Sequence, residues 1–585
     1  MTETPNMRKM FGVICFIVKF LSYSFITRVT KKYTMNWIYK TSKHFLPTLL
    51  TLALTVTSLF LAGPLPALAQ QKEEPEMEQT IRRGPDEGGG PYDRLVIRGA
   101  MMIDGTGAPP RGPMTIVVEG DEITEIKETD PDAQLEGAGR VIDAEGMYVT
   151  PGFIDVHTHT GRKKIGYQAS YVYKLWMGHG ITTAKGVPFG PMDWSLKQEK
   201  LSAKNEIVAP RMVVCQDVGD GKAWEDRDVN TPEQAREWVR YANEKGVDCV
   251  AEIGAHDPEI MAAVLSTADS LGLQTEAHLD QMGVARMDAR DAAELGLDEL
   301  THYYGLFEAL LNESTIQDWP IDYNYNNEYD RFGQVARLWD QIHPPGSKEW
   351  DALVQTFLDQ DLYISPTMSI YLAGRNVMSA RNAVWHEEYT LPQQQAFFEP
   401  SPDSHGSYFW NWTTADEVAW EHFYDRWMKF LDDYNDAGGR LLVGSDSGFI
   451  YQLYGFGYIQ ELELLQEAGL HPIEVIRSAT LYGAQSIFET HESDGESIKY
   501  GAIREGLKAD LLVMRRNPLK DFKTLYGTGA VRRNEETGEP ERVRSLKYTI
   551  KDGIVYDSQK LLEDVRQMVD KAEKEKTAST TDNRE

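Results

Sequence analysis

Strand-like and helix-like runs alternate between residues 151 and 490, which predicts an α/β fold of parallel strands joined by crossover helices. Eight strand candidates fall in that span, the number that closes into a (β/α)8 TIM barrel. A third observation agrees: His and Asp residues stand just past several of these strands, where such barrels keep their active groups.

The first strand candidate is Met147–Val156, with Phe153, Ile154 and Val156 supplying β-favouring bulk around an interruption at Pro151-Gly152. Alternation along a strand turns His157 and His159 to one side, with Asp155 two residues behind them. Two adjacent imidazoles at a strand end suit one divalent ion. Gly180–Ala184 reads as the second strand and Arg211–Cys215 as the third. Thr231–Gly246 is an expected helix, capped by Thr231, opened by Pro232 and stopped by Gly246. Val247–Ile253 is the fourth strand; Asp257 then caps an expected helix, Pro258–Leu271. Leu273–Ala277, Glu299–His302, Leu362–Pro366 and Arg440–Gly444 complete the set, with Ala285–Leu295 read as a helix. His278 and His302 end the fifth and sixth strands, and Asp446 follows the eighth. Residues 303–361 and 368–439 are too long for ordinary connections and rich in Tyr, Trp and Asn, so they read as insertions over the barrel mouth.

Short β-branched runs flank the barrel region. Leu95–Gly99, Thr115–Glu119 and Glu122–Lys127 precede it; Leu511–Met514, Leu546–Lys551 and Ile554–Tyr556 follow.

The run YVTPGFIDVHTHTG (148–161), with LVIRGAMMIDGTG near the start and GLKADLLVM near the end, resembles the metal-dependent amidohydrolase superfamily, including its imidazolonepropionase-like and Xaa-Pro dipeptidase-like members. The resemblance implies that segments 92–150 and 491–557 pair into a small β-sandwich beside the barrel of residues 151–490. It also implies that His157, His159 and Asp446 bind a metal, with His278 and His302 as further ligands or water-orienting groups. Imidazoles with one carboxylate suit Zn²⁺ with an open position for water, whose pKa then falls to about 7. Asp446 is the candidate general base and His302 its catalytic neighbour; Asp155 either orients His157 or His159 or is a buried structural carboxylate. Tyr303, His256 and Gln281 are the candidate substrate contacts.

Two departures narrow the reading. Dipeptidase-like members resemble one another in a strand-four Lys that becomes carboxylated and bridges two metals; Ala251 stands there instead. Lys185, His256 and Glu252 are outside candidates for that role, and one Zn²⁺ is favoured over two. Nucleoside deaminases of the superfamily place a Glu three residues after the strand-five His, where this chain has Gln281, and Gln cannot deliver a proton. The expected activity is hydrolysis of the amide of a small peptide or N-acyl amino acid. A cyclic amidohydrolase is the alternative, and a non-catalytic binding relative is the alternative from another class.

The 585 residues begin with a leader. Phe45–Ala69 is an apolar run behind Lys40 and Lys43, ending Ala67-Leu68-Ala69, the layout of a secretory signal cleaved near Ala69. The expectation is export to the periplasm or medium; an uncleaved leader would be a membrane anchor instead. Met35 is a plausible start, so residues 1–34 need not belong to the protein. The formal charge is −30; residues 1–69 carry eight Lys/Arg and one Glu, leaving −37 on the remainder. Such acidity argues against nucleic acid or an anionic membrane as partner; the small-molecule amide is the partner that the resemblance implies, with homo-oligomers open. Past the leader only Cys215 and Cys249 remain, too few for a disulfide framework. Residues 70–91 read as a flexible linker, and 558–585 as a charged tail fraying from a helix.

Overall fold

The computed structural model describes residues 80–582, except 133–136, 161–168, 226, 252–253, 255–256, 313–315, 402–407 and 490–497. The expected leader, His256 and Glu252 therefore lie outside the described residues. The strands run β1 (Tyr92–Met102), β2 (Arg111–Gly120), β3 (Glu122–Glu128), β4 (Arg140–Asp143) and β5 (Tyr148–Pro151). Next come β6 (Phe153–Thr158), β7 (Ile181–Gly186), β8 (Arg211–Asp217), β9 (Cys249–Ala251) and β10 (Gln274–Ala277). β11 (Glu299–Thr301), β12 (Tyr363–Ser365) and β13 (Arg440–Leu441) follow. β14 (Leu511–Met514), β15 (Ala530–Arg533), β16 (Pro540–Val543), β17 (Leu546–Lys551) and β18 (Ile554–Asp557) complete the series.

β6 to β13 form one parallel sheet in chain order. The sheet curls until its edges meet: Val156 N–H donates to Val443 O (3.1 Å) and Asp446 N–H to His157 O (2.9 Å). β6 and β7 are buried along their whole length, as strands covered on both faces must be. The helix Pro232–Lys245 shows why the connections are sharp. Thr231 accepts from Gln234 N–H, Pro232 occupies the first turn, and Gly246 takes the left-handed conformation (φ 87°) that stops it. The expected helix 285–295 shortens to Ala289–Glu294, because Asp288 and Asp291 form a capping box there. Asp257 precedes the helix Pro258–Asp269 but makes no side-chain cap; its carboxylate pairs with Arg286 (2.6 Å).

Met147–Val156, read as one interrupted strand, is two strands in different sheets. β5 pairs with β1 and β14, and one residue later β6 opens the barrel. Gly152 is the crossing point, lying so close to Thr182 that a Cβ would overlap its hydroxyl. β1–β5, β14, β17 and β18 make one continuous hydrogen-bonded sheet rather than two, around a core that includes Ile97, Ile116, Leu511 and Ile550.

Where this sheet meets the N-terminal ends of the barrel strands, Arg211 pairs with both Asp510 and Asp552 and lies 3.9 Å from the centroid of the Tyr500 ring. Lys551 pairs with Asp552 (2.8 Å) and Asn205 (2.7 Å). Nearby, buried His179 donates from Nδ1 to Leu175 O (2.7 Å) and accepts at Nε2 from Gly527 N–H (3.0 Å). Burial pushes its pKa down to about 4.

Several expectations change. Residues 80–91 are bound to the body: Arg83 N–H donates to Glu206 O, and Gly89 N–H to Val555 O. The expected fraying tail is a helix, Ser558–Asp582, that buries Leu561, Leu562, Val565 and Val569. Each such side chain gains about 1.5–3 kcal/mol from burial, which is why the segment docks. Lys174 adds ion pairs to Asp564 (2.7 Å) and Glu87 (2.5 Å). Cys215 and Cys249, opposite each other on β8 and β9, are disulfide-bonded. No helix among the described residues is long and apolar enough to cross a membrane.

Candidate metal centre and active site

Three imidazoles converge on Asp446 at the C-terminal rim of the barrel. His157 Nε2 lies 3.9 Å from Asp446 Oδ1, His159 Nε2 3.2 Å from the same oxygen, and His302 Nε2 3.8 Å from Oδ2. Ligand atoms of His157, His302 and Asp446 all fall within 4.8 Å of one another.

Each ring is held by its other nitrogen. His157 Nδ1 donates to Glu276 Oε1 (3.1 Å) and His159 Nδ1 to Pro188 O (3.1 Å). His302 Nδ1 bonds the Thr367 hydroxyl, which donates its own proton to Pro366 O. A carboxylate, a carbonyl and a committed hydroxyl can only accept. All three rings therefore carry their proton on Nδ1 and turn Nε2 toward Asp446. His302, Thr367 and Asp446 adopt left-handed backbone (φ 66°, 49° and 45°), a conformation costing about 1–3 kcal/mol each for non-glycine residues and concentrated at functional sites.

The electrostatics follow from this packing. Burial alone would raise the Asp446 pKa, but a hydrogen bond from His159 Nε2, made when that ring carries a second proton besides the one on Nδ1, and the charge of the neighbouring imidazoles when protonated outweigh it and hold the carboxyl well below its usual range. Burial, reinforced by neighbouring His278, keeps His302 neutral. Beneath the site lies a buried network that sequence analysis did not anticipate. Lys185 pairs with Glu276 and with Glu299 (2.7 Å). Burial opposes ionisation of Glu276, yet Lys185 and His157 hold its pKa down, while burial pushes Glu299 up to about 7. Lys185 is thus salt-bridged below the rim. Glu276 sits two residues before His278, so alternation would have placed both on one face.

Other candidates fall in different places. His278 lines the cavity, its ring centroid 4.6 Å from those of His302 and Tyr304. Asp155 does not orient a ring. It accepts from the Ser445 amide (2.9 Å) and hydroxyl (2.7 Å) and from the His157 amide, tying β6 to the Asp446 segment; burial raises its pKa to about 7. Tyr303 points away from the cavity into a cluster with Trp420, Phe423 and Trp427, while Tyr304, sharing a face with His302, lines it. Gln281 lines it too. Ala251 ends β9 packed with Cys215, Cys249 and Val213, where a bridging Lys would have to rise. The cavity measures about 320 Å³, and both insertions wall it, through Arg331 and Phe332 from one and Tyr371 and Tyr408 from the other.

Residues 140–195 match the profile of the Amidohydrolase family. The dihydroorotase of Caldanaerobacter subterraneus subsp. tengcongensis is 41% identical over 66 residues, 11% of this chain and 14% of that protein. The chain thus matches about a seventh of the length of that curated relative. Similar folds include a putative prolidase from Bifidobacterium longum (TM-score 0.53, 19% identity, 81% of this chain and 99% of that one). A bottromycin amidohydrolase is another (TM-score 0.56, 18% identity, 83% and 91%). The family match surrounds the first barrel strand, and these solved structures share the fold over most of the chain.

The rim residues could hold a divalent metal ion. The imidazole nitrogens are turned inward by partners that fix their tautomer, and a carboxylate held ionised faces them, a donor set apt for a divalent metal with room left for water.

Proposed function

We propose that this chain is an exported hydrolase of the amide bond in a small peptide or N-acyl amino acid, working with one Zn²⁺ ion. The observation that carries the reading is the convergence of three tautomer-fixed imidazoles on Asp446. His157, His159, His302 and Asp446 would hold the ion, with His278 beside them. When bound, it supplies Lewis-acid polarisation of the carbonyl and acidification of water.

The chain's own groups do the rest. Asp446, ionised across the working pH range, takes the proton of the attacking water and passes it to the departing nitrogen. The buried Glu276–Lys185 pair keeps His157 from turning. Tyr304, whose hydroxyl accepts from Tyr371 (3.0 Å) and whose pKa burial raises, keeps its proton and can donate to the carbonyl oxygen as negative charge grows there. The aromatic insertions exclude bulk water and favour substrates with an apolar part.

Metal analysis with a panel of dipeptides, N-acyl amino acids and ring amides tests this reading. One zinc per chain and turnover of linear amides are expected; two ions would overturn the mononuclear site. A cyclic amide is the second reading, favoured by the short dihydroorotase match, and exclusive turnover of ring amides would install it. No metal and no turnover would leave the non-catalytic relative. Export is supported by the Ala67-Leu68-Ala69 sequence and by the Cys215–Cys249 disulfide, a bond that persists in oxidising compartments. Mass spectrometry of the exported protein should find Gln70 at its N-terminus; an intact leader in the membrane fraction would overturn cleavage.

A further inference from the structure

Glu461 is fully buried on the helix Phe456–Ala468, which follows the eighth barrel strand, and no Lys or Arg among the described residues pairs with it. A buried carboxyl without a cation is costly, so its hydrogen bonds have to account for it. Oε1 accepts from the Met368 amide (2.9 Å) and Oε2 from the Ser369 amide (2.7 Å), both just past β12, the seventh barrel strand. Burial pushes the Glu461 pKa up to about 8 against the pull of those amides. Protonated or not, the group offers each amide an oxygen.

The turn held in this way, 366–371, reaches the rim at three points. Thr367, left-handed at φ 49°, bonds His302 Nδ1 through its hydroxyl. Ser369 Oγ donates to Ser445 O (3.3 Å), the carbonyl that precedes Asp446. Tyr371 donates to the Tyr304 hydroxyl (3.0 Å) on the cavity wall. From the other side the Tyr424 hydroxyl donates to Met368 O (2.5 Å). A left-handed Thr costs about 1–3 kcal/mol and persists only where its surroundings over-determine it. The two amides bound by Glu461 come directly after it in the chain. Without that grip the turn is free to relax at Thr367 and withdraw the hydroxyl that sets the His302 ring.

We propose that Glu461 is a positioning residue of the rim: by binding the Met368 and Ser369 amides it locks Thr367 against His302 and Ser369 against the Asp446 segment. Glu461 does not line the cavity, so it works only through that turn. That a rim so positioned serves a metal rests on the hydrolase reading; the positioning itself does not.

Glu461→Gln keeps the size of the side chain but turns an NH2 group toward one of the two amides. It should weaken zinc binding about tenfold in competition with a chromogenic chelator, as loss of outer support does at metal sites. Tyr434→Phe removes a buried hydrogen bond to Leu362 O at the far end of the same strand; it should lower the thermal midpoint and leave zinc affinity unchanged. In a Thr367→Val background most of the zinc effect of Glu461→Gln should vanish, because the link it acts through is already cut. Unchanged zinc affinity in Glu461→Gln, an equal loss in Tyr434→Phe, or full additivity with Thr367→Val would overturn the positioning role. Should Glu461→Gln fail to fold, Glu461→Asp, which keeps both oxygens but falls one methylene short, carries the same comparison. If the wild type takes up no zinc, the metal reading falls and crystal structures decide the positioning. Loss of the Thr367–His302 hydrogen bond in the variant then upholds it, and an unchanged rim overturns it.

Discussion

The two ends of the barrel treat buried charge in opposite ways. At the N-terminal ends of the strands, Arg211 and Lys551 close on Asp510 and Asp552, and both polar atoms of the His179 ring are spoken for. At the C-terminal rim, Asp446 is the one carboxylate that faces three imidazole Nε2 atoms, at 3.2–3.9 Å, below an open cavity. The lower end is self-sufficient and holds the small sheet to the barrel. The upper end is arranged for something that arrives from solution. Burial does not separate structural from functional polar groups in this molecule; what differs between the two ends is whether opposite charges close on each other.

That contrast is breakable. The largest expected effect is at the rim: Asp446→Asn should lower kcat by about 10³-fold or more while circular dichroism and thermal midpoint stay near wild type. Retained activity would remove Asp446 from its role. At the lower end Arg211→Met should do the reverse, costing about 3–5 kcal/mol by stranding Asp510, while Asp552 keeps Lys551, with kcat little changed in the fraction that folds. Urea denaturation read beside the assay decides it.

His179 gives the lower end a pH signature. Its folded pKa of about 4 lies below the ordinary value of 6.5, so the unfolded chain takes up a proton first as pH falls. The neutral ring's contribution is complete above about pH 6.5 and is lost progressively toward pH 4, roughly 3 kcal/mol in all. His179→Gln should flatten that part of the stability–pH curve relative to wild type; parallel curves would refute the assignment. The smallest effect concerns the support beneath the rim. Glu276→Gln should weaken zinc binding about 10–100-fold in a competition titration with a chromogenic chelator, because His157 loses its charged acceptor.

The barrel strands were legible because short apolar runs, buried on both faces, alternate with crossover helices, and His157 and His159 because two imidazoles share one strand end. His278, His302 and Asp446 were readable from their positions after strands. What escaped depended on long-range packing. Glu276 was hidden because a Glu inside a strand signals nothing until Lys185 and His157 are seen around it. Tyr303 was chosen over Tyr304 because the turn after β11, where His302 takes a left-handed backbone, decides which ring meets the cavity. Arg331 and Tyr408 lie in insertions whose paths no periodicity predicts. The tail helix was read as fraying because its charges obscured the stripe of Leu561, Leu562, Val565 and Val569.

Gly152 carries one more implication. The chain steps from β5 to β6 across that single residue, so the strand bearing His157 is a continuation of one gripped by β14, some 360 positions later in the numbering and roughly a full barrel circuit away. Trimming either terminus to isolate a minimal catalytic fragment would release that grip and let the first histidine pair drift. The two ends of the polypeptide are, in mechanical terms, a clamp on its chemistry.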